Sequence, residues 1–226
     1  MSSRDDALEL TPELMLRAYA AGIFPMAETR DSEKVFWVDP KKRGVLPLDT
    51  FHVPRRLRRT IRNGPFRVSC NTTFERVIAT CAERASDRDD TWINPPIENA
   101  VNKLYHMGFA HSVECWLGDD LVGGLYGISL GAAFFGESMF SRSPDASKVA
   151  LVHLVARLRL GGYRLLDTQF VTDHLAQFGI QEIAAADYIG QLEDALKYQA
   201  TFPVDADGEA YIAALEAVLA QRSKDN

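Results

Sequence analysis

Hydrophobic and polar positions along the chain alternate between helical and strand-like patterning, and punctuation by Gly, Pro and cap residues divides the elements. Leu10 to Gly22 reads as a helix through Leu14, Leu16, Ala18 and Tyr19, with Thr11 as its cap and Gly22 as its stop. Ile23-Phe24-Pro25-Met26 and Phe36-Trp37-Val38-Asp39-Pro40 form an aromatic, proline-punctuated module, and a boundary is expected around Leu48 to Phe51. That gives a small N-terminal domain over 1–50 and a larger one over 51–226. The larger part opens with a helix that has Pro54 in its first turn, a strand at Phe66 to Ser69 and a helix near Phe74 to Ala82 capped by Asn71 or Thr72. A loop at Asp87 to Asp90 and a helix from Ile97 to Met107 follow.

The middle of the chain is β-rich. Ser112 to Leu117, Leu121 to Ser129 and Ala132 to Phe140 are separated by the turn signals Gly118-Asp119-Asp120 and Leu130-Gly131, which predicts an antiparallel meander. Asp145 or Ser143 then caps a helix running to Leu160, and Gly161-Gly162 ends it. Tyr163 to Phe170 is the next strand and Asp173 to Phe178 a short helix; helices at Tyr188 to Tyr198 and Gly208 to Arg222 close the chain. A meander, one central apolar helix and a strand carrying polar residues make an α+β layout like the acetyltransferase-type (GNAT) fold, with a mixed, largely antiparallel sheet and flanking helices.

Composition narrows the class. A chain of 226 residues with 46% hydrophobic and 25% charged residues is ordinary globular material. The N-terminus lacks a basic region followed by an apolar block, and no run approaches the ~18 apolar residues of a membrane helix, so neither export nor membrane insertion is expected. Cys70, Cys81 and Cys115 lack C-x-x-C spacing, and His52, His106, His111, His153 and His174 form no metal-binding motif. A cytoplasmic protein without metal or cofactor is expected.

The net charge of −6 conceals a local excess of the opposite sign. Between Pro54 and Arg67 stand Arg55, Arg56, Arg58, Arg59, Arg62 and Arg67 with no acid among them, and Lys41, Lys42 and Arg43 lie just before. On a helix, Arg55, Arg58, Arg59 and Arg62 share one face, opposite Leu57 and Ile61. Such a segment docks by its apolar side and presents arginine to phosphates, or is a solvated basic helix.

The strongest chemical signal is a set of polar groups inside apolar runs: Glu137 within Phe134-Phe135-Gly136-Glu137-Ser138-Met139-Phe140, and Asp167 and Gln169 within Leu165-Leu166-Asp167-Thr168-Gln169-Phe170. Left unsatisfied, each such group costs roughly 1–3 kcal/mol. A buried Glu137–Arg142 ion pair and strand-end capping by Asp167 and Gln169 are the structural alternatives. Along a regular strand Asp167 and Gln169 project to one face, so two hydrogen-bonding groups converge beside a third, which suits holding an amine near a carbonyl.

The strings Ala20-Ala21-Gly22-Ile23-Phe24-Pro25, Thr91-Trp92-Ile93, Leu121-Val122-Gly123-Gly124-Leu125-Tyr126-Gly127, Gly136-Glu137-Ser138-Met139-Phe140-Ser141-Arg142, Ala146-Ser147-Lys148 and Asp173-His174 resemble, in order, the bacterial leucyl/phenylalanyl-tRNA–protein transferases. The resemblance implies a small N-terminal domain followed by an acetyltransferase-like one. It also implies transfer of Leu or Phe, less readily Met, from charged tRNA to proteins bearing N-terminal Arg or Lys, marking them for degradation. Trp92 matches a tryptophan that stacks on the terminal adenosine, while Met26 stands where the best-known members carry another. The resemblance further places Leu125, Phe134, Gly136, Met139, Leu151, Leu154, Leu158 and Leu166 around the substrate, Leu154 and Leu158 replacing aromatic residues of those members. It implies Asp167, Gln169 and Glu137 as the catalytic group and no cofactor; the arginine face of Arg55, Arg58, Arg59 and Arg62 would then hold the tRNA, and the oligomeric state is left open by the sequence, with a monomer expected.

The implied reaction is aminolysis of an activated ester. An α-amine with a pKa of about 7.7–8.0 keeps a useful neutral fraction at pH 7, so positioning and oxyanion stabilisation can carry much of the rate. Gln169 would hold the attacking amine or the developing charge, Asp167 would orient it, and Glu137 would help bind the aminoacyl or acceptor group. A serine hydrolase built on Ser138 and His174 would need a second glycine where Phe140 stands. A CoA-dependent acyltransferase would need a glycine-rich phosphate loop, missing near Arg157 to Arg164. A non-catalytic tRNA-binding module would have no use for the three buried polar groups.

Overall fold

The computed structural model describes residues 10–83, 90–205 and 208–221; the first nine residues of the expected N-terminal domain, most of the 87–90 loop and Arg222 lie outside them. Helix α1 (Pro12–Ala20) starts where Thr11 accepts a hydrogen bond from the Leu14 N–H at 3.2 Å, and Gly22 turns the chain at φ +80°. Strands β1 (Phe24–Met26) and β2 (Phe36–Val38) pair antiparallel as a two-stranded ribbon of their own. The next strand, β3 (Lys42–Val45), leaves that ribbon and joins the main sheet.

The remaining elements follow as α2 (Arg55–Asn63), β4 (Arg67–Cys70), α3 (Phe74–Cys81), α4 (Pro95–His106), β5 (Ala110–Leu117), β6 (Asp120–Leu130) and β7 (Ala133–Ser141). After these come α5 (Ala146–Leu160), β8 (Leu165–Gln169), α6 (Asp173–Ala176), β9 (Gln181–Ala184), α7 (Ala185–Leu196) and α8 (Glu209–Ala220). One of the expected caps moves. Thr73 takes the N-cap place of α3, and Asn71, at φ +54°, turns its carboxamide to the Ser112 N–H instead. Asn94, not singled out in the sequence, caps α4 by accepting from the Ile97 N–H at 3.0 Å.

Seven strands form a mixed sheet in the order β4-β5-β6-β7-β8-β3-β9. All neighbours are antiparallel except β7 and β8, which α5 connects as a parallel crossover. The chain is therefore an α+β protein whose sheet has a core on each side. One core gathers Met15 and Tyr19 of α1, Phe74 and Ile78 of α3, Leu104 of α4 and Leu192 of α7; the other gathers Leu57 of α2, most of α5, and Val218 and Leu219 of α8.

Helix α5 explains its own patterning. Val149, Val152, Leu154, Val155 and Leu158 are all buried, because the helix is covered by the sheet on one side and by α8 and α2 on others. A helix apolar on every side belongs in such a position, and truncating one of these leucines to Ala would cost about 2–5 kcal/mol. No helix among the described residues is long and apolar enough to cross a membrane.

Candidate active site

The parallel pairing of β7 with β8 is short: Ala133 faces Leu165, Phe134 faces Leu166, Phe135 faces Asp167, and there it stops. Beyond that point a cleft of about 540 Å³ lies between the two chain segments, with Gly136 to Arg142 lining one side and Leu166 to Leu175 contributing to the other. Each strand carries an irregularity where the cleft begins. On β7, Gly127 faces Gly136 but Tyr126 faces Ser138, which leaves Glu137 as the inserted residue of a bulge. On β8, Gly44 of β3 faces Gln169 while Val45 faces Asp167, so Thr168 is the extra residue.

These irregularities reverse one expectation. Asp167 and Gln169 were expected to share a strand face, but Gln169 sits at φ +56°, a left-handed conformation that ends the strand and sends its side chain toward Glu137. The Gln169 Nε2 donates to Glu137 Oε1 at 3.1 Å. Asp167 does not line the cleft; it is fully buried behind it. Its Oδ1 accepts from the Gln169 N–H at 2.8 Å and from Arg43 Nε at 2.9 Å, and its Oδ2 accepts from Arg43 Nη2 at 2.6 Å and from the Tyr188 hydroxyl at 2.7 Å.

Arg43 is the site residue that the sequence concealed. In a basic run it reads as part of a surface patch, yet it is 1% exposed. Besides Asp167 it donates to the Gly22 carbonyl at 2.8 Å, and its guanidinium lies over the rings of Phe24 and Tyr188 at 4.6 and 4.5 Å. Nor does Arg142 pair with Glu137; it reaches Glu83 at 2.6 Å.

Electrostatics follow from this packing. Burial pushes the Glu137 carboxyl up to about 8, and the charge of Asp167 adds to the rise, against opposing pulls from the Tyr19 hydroxyl and Arg43. The carboxyl is hemmed in by protein although part of the residue still meets solvent. The Tyr19 hydroxyl beside it is buried without a well-aligned hydrogen-bond partner, and burial and the neighbouring Glu137 raise its pKa. Burial alone would lower Arg43, but the Asp167 hydrogen bonds and charge outweigh it and the guanidinium is held cationic. Burial and then the Asp167 charge raise Tyr188, which stays a neutral donor.

The apolar part of the cleft is lined by Leu125, Met139, Leu151, Leu154 and Leu166, together with Gly136. Phe134 and Leu158 are not part of that lining: both are fully buried, Phe134 packing edge-on to Tyr163 and against Phe202. Met26 and Trp92 lie outside it too, half-buried and brought close by the Ala27 N–H, which donates to the Trp92 carbonyl at 3.1 Å. On α2, Arg55, Arg56 and Arg59 are exposed, and Arg62 is exposed but paired with Glu216 at 2.5 Å. Arg58 does not point outward with them. Its guanidinium covers two backbone carbonyls, donating to Val53 at 2.7 Å and Gln221 at 3.2 Å. Among the described residues no three His, Cys, Asp or Glu side chains converge as metal ligands.

An apolar cleft that ends in a carboxamide and a carboxyl of raised pKa can seat an acyl group and hold an amine against its carbonyl; it suits an acyl-transfer enzyme. The model of the leucyl/phenylalanyl-tRNA protein transferase family matches residues 45–193, and that of the same transferase's N-terminal domain matches residues 9–41. A leucyl/phenylalanyl-tRNA–protein transferase of Paramagnetospirillum magneticum is 60% identical over 197 residues, covering 87% of this chain and 94% of its own length. One from Caulobacter vibrioides is 58% identical over 214 residues, covering 95% and 98%. This chain belongs to that family and is an aminoacyltransferase. A solved structure of L-PGS from Bacillus licheniformis is 12% identical with a TM-score of 0.40, covering 89% of this chain and 68% of that one, a likeness too slight to argue from.

Proposed function

We propose that the chain transfers leucine or phenylalanine, and less readily methionine, from charged tRNA to the α-amine of proteins that begin with Arg or Lys, in the cytoplasm, and so marks them for degradation. One observation carries this reading: the Gln169–Glu137 hydrogen bond lies at an apolar cleft large enough for one such side chain. In the reaction the amine nitrogen forms a C–N bond to the ester carbonyl carbon, the C–O bond to the terminal ribose breaks, and one proton ends on the departing ribose oxygen. Gln169 holds the amine or the developing oxyanion, as preorganised donors do in a dry site. Glu137, poised near neutral pH, binds the amine and is suited to take and return its proton. Asp167 acts from behind, orienting Gln169 through its backbone N–H.

The splay of β7 from β8 is the feature that an acetyltransferase-like catalytic domain over 51–226 would use to admit an acyl group, with 1–50 as a small N-terminal domain. Arg55, Arg59 and Arg62 would hold the acceptor stem through its phosphates, and Trp92 would stack on the terminal adenine beside Met26. The test mixes purified protein with tRNA charged with radiolabelled leucine or phenylalanine and an acceptor protein beginning with Arg, without ATP. Label passing into protein supports the reading. Calorimetric binding of acetyl-CoA with no transfer from tRNA would instead favour a CoA-dependent acyltransferase.

A further inference from the structure

The left-handed backbone of Gln169 is uncommon for a residue with a β-carbon, and it persists only where its surroundings over-determine it. Three constraints meet there. The Asp167 carboxylate accepts the Gln169 N–H, Thr168 bulges out and donates through its hydroxyl to the Gly44 carbonyl at 3.1 Å, and β3 presses against the turn. The pressure is visible at Gly44, where a β-carbon would lie 2.7 Å from the Phe170 carbonyl carbon and 2.9 Å from the Thr168 hydroxyl.

Asp167 can serve as an anchor only if it is itself fixed. Neither of its oxygens meets water, and Arg43 engages both while Tyr188 adds a bond to the second. Arg43 is pinned in turn by the Gly22 carbonyl and between the rings of Phe24 and Tyr188. A lysine at this position would keep the charge but not a planar fork able to bridge a carboxylate and a carbonyl together.

We propose that Arg43 is a positioning residue that sets the aim of the Gln169 carboxamide through Asp167, with Tyr188 steadying the same carboxylate. It touches no substrate; its effect is on the rate of the transfer step. The N-terminal segment, through Gly22 and β3, and helix α7 late in the chain, through Tyr188, thus meet at one carboxylate behind the cleft. The inference rests on the proposed function, in which Gln169 acts on the reacting groups.

The test measures single-turnover transfer, KM for charged tRNA and thermal melting for Tyr188→Phe, Arg43→Lys, Gln169→Ala and the Tyr188→Phe/Gln169→Ala double variant. Tyr188→Phe removes one hydrogen bond and is expected to lower the rate about tenfold. Arg43→Lys, which frees the carboxylate to shift, is expected to lower it by ~10²-fold. In both, KM should stay within about twofold, since the substrate-binding surface is untouched. In the Gln169→Ala background, Tyr188→Phe should have little further effect, because residues acting as a unit are not additive. Should Arg43→Lys fail to fold, the Tyr188→Phe cycle decides alone. Full multiplicative losses in the double variant, or a raised KM with an unchanged rate, would overturn the positioning role and leave the transferase reading intact. A wild-type rate in Gln169→Ala would overturn that reading itself.

Discussion

Gln169 reaches Glu137 across the gap where β7 and β8 separate, its Nε2 donating to Oε1 at 3.1 Å, and this bond joins the two walls of the cleft. The pair exists because both strands are irregular at the same level: a bulge frees Glu137, and a left-handed turn swings Gln169 out of line. Removing the amide while keeping the fold is therefore the most direct probe of the chemistry. Gln169→Ala is expected to slow single-turnover transfer by ~10²-fold or more, the scale of one lost preorganised donor, with affinity for charged tRNA nearly unchanged.

Glu137 has a stability signature that is independent of any assay of transfer. An unfolded glutamate ionises near about 4.3, whereas the folded chain holds Glu137 protonated up to about 8. Between those values the native state binds the more protons. The stabilising contribution of this group is thus complete below the unfolded pKa and is lost as pH rises through the folded one. Glu137→Gln does not ionise, so its melting temperature relative to wild type should climb between about pH 4.3 and about pH 8 and level off above. A difference that stays flat across that range would show a carboxyl titrating as if in water.

The α2 arginines should separate into two groups. Replacing Arg55, Arg59 and Arg62 with Ala should weaken tRNA binding and lower the log–log salt slope by about one unit per lost phosphate contact, while a small aminoacyl-adenosine mimic reacts almost normally. The Arg62–Glu216 pair is solvent-exposed and gives way readily to a phosphate. Arg58→Ala should act mainly on stability, at about 1 kcal/mol for each uncovered carbonyl. Equal damage to tRNA and mimic turnover in the triple variant would move α2 from substrate binding to folding.

Trp92→Ala is expected to raise KM for charged tRNA in keeping with a stacking contact of roughly 1–3 kcal/mol, and Met26→Trp to lower it by restoring a flat partner beside it. Because Trp92 also packs against the core, a melting curve is needed alongside. An unchanged KM with a much lower melting temperature would assign Trp92 to packing alone.

The cleft lined by Leu151, Leu154 and Leu166 should accept Leu, Phe and Met and discriminate against Val and Ile, whose second Cβ substituent is stiff and falls near the wall. Apolar pockets discriminate by only ~1–3 kcal/mol, so the expected preference is tens-fold rather than absolute. Competition between leucyl- and valyl-tRNA measures it, and equal use of the two would displace the substrate side chain from this cleft.

What could be read from the chain and what could not divides along physical lines. Thr11, Gly22 and the turn glycines punctuate α1 and the meander locally, and the long apolar run of α5 between its cap and Gly161-Gly162 and the apolar period of α7 are local properties, so these elements were legible. Strands β3 and β9 were not. Lys-Arg-Gly-Val and Gln-Glu-Ile-Ala have no alternating apolar pattern, and they become strands only because each pairs with the other and β3 with β8. Arg43 was hidden for the same reason, since nothing adjacent to it announces a buried carboxylate partner. Glu137, Asp167 and Gln169 stood out as polar residues in apolar runs, but their mutual arrangement depends on two bulges that no short motif encodes.

The insertion of β3 between β8 and β9 has a consequence for the order of events during synthesis. Arg43 and Asp167 are separated by 124 positions, and contacts of such long range form late and slowly in folding. The early strand must wait without neighbours until β8 and β9 have been made. The Tyr188 hydroxyl that completes the shell around Asp167 arrives later still. A growing chain that has not passed Tyr188 lacks the hydroxyl that steadies Asp167 from α7, so the shell around that carboxylate closes only once both segments of the chain have been made.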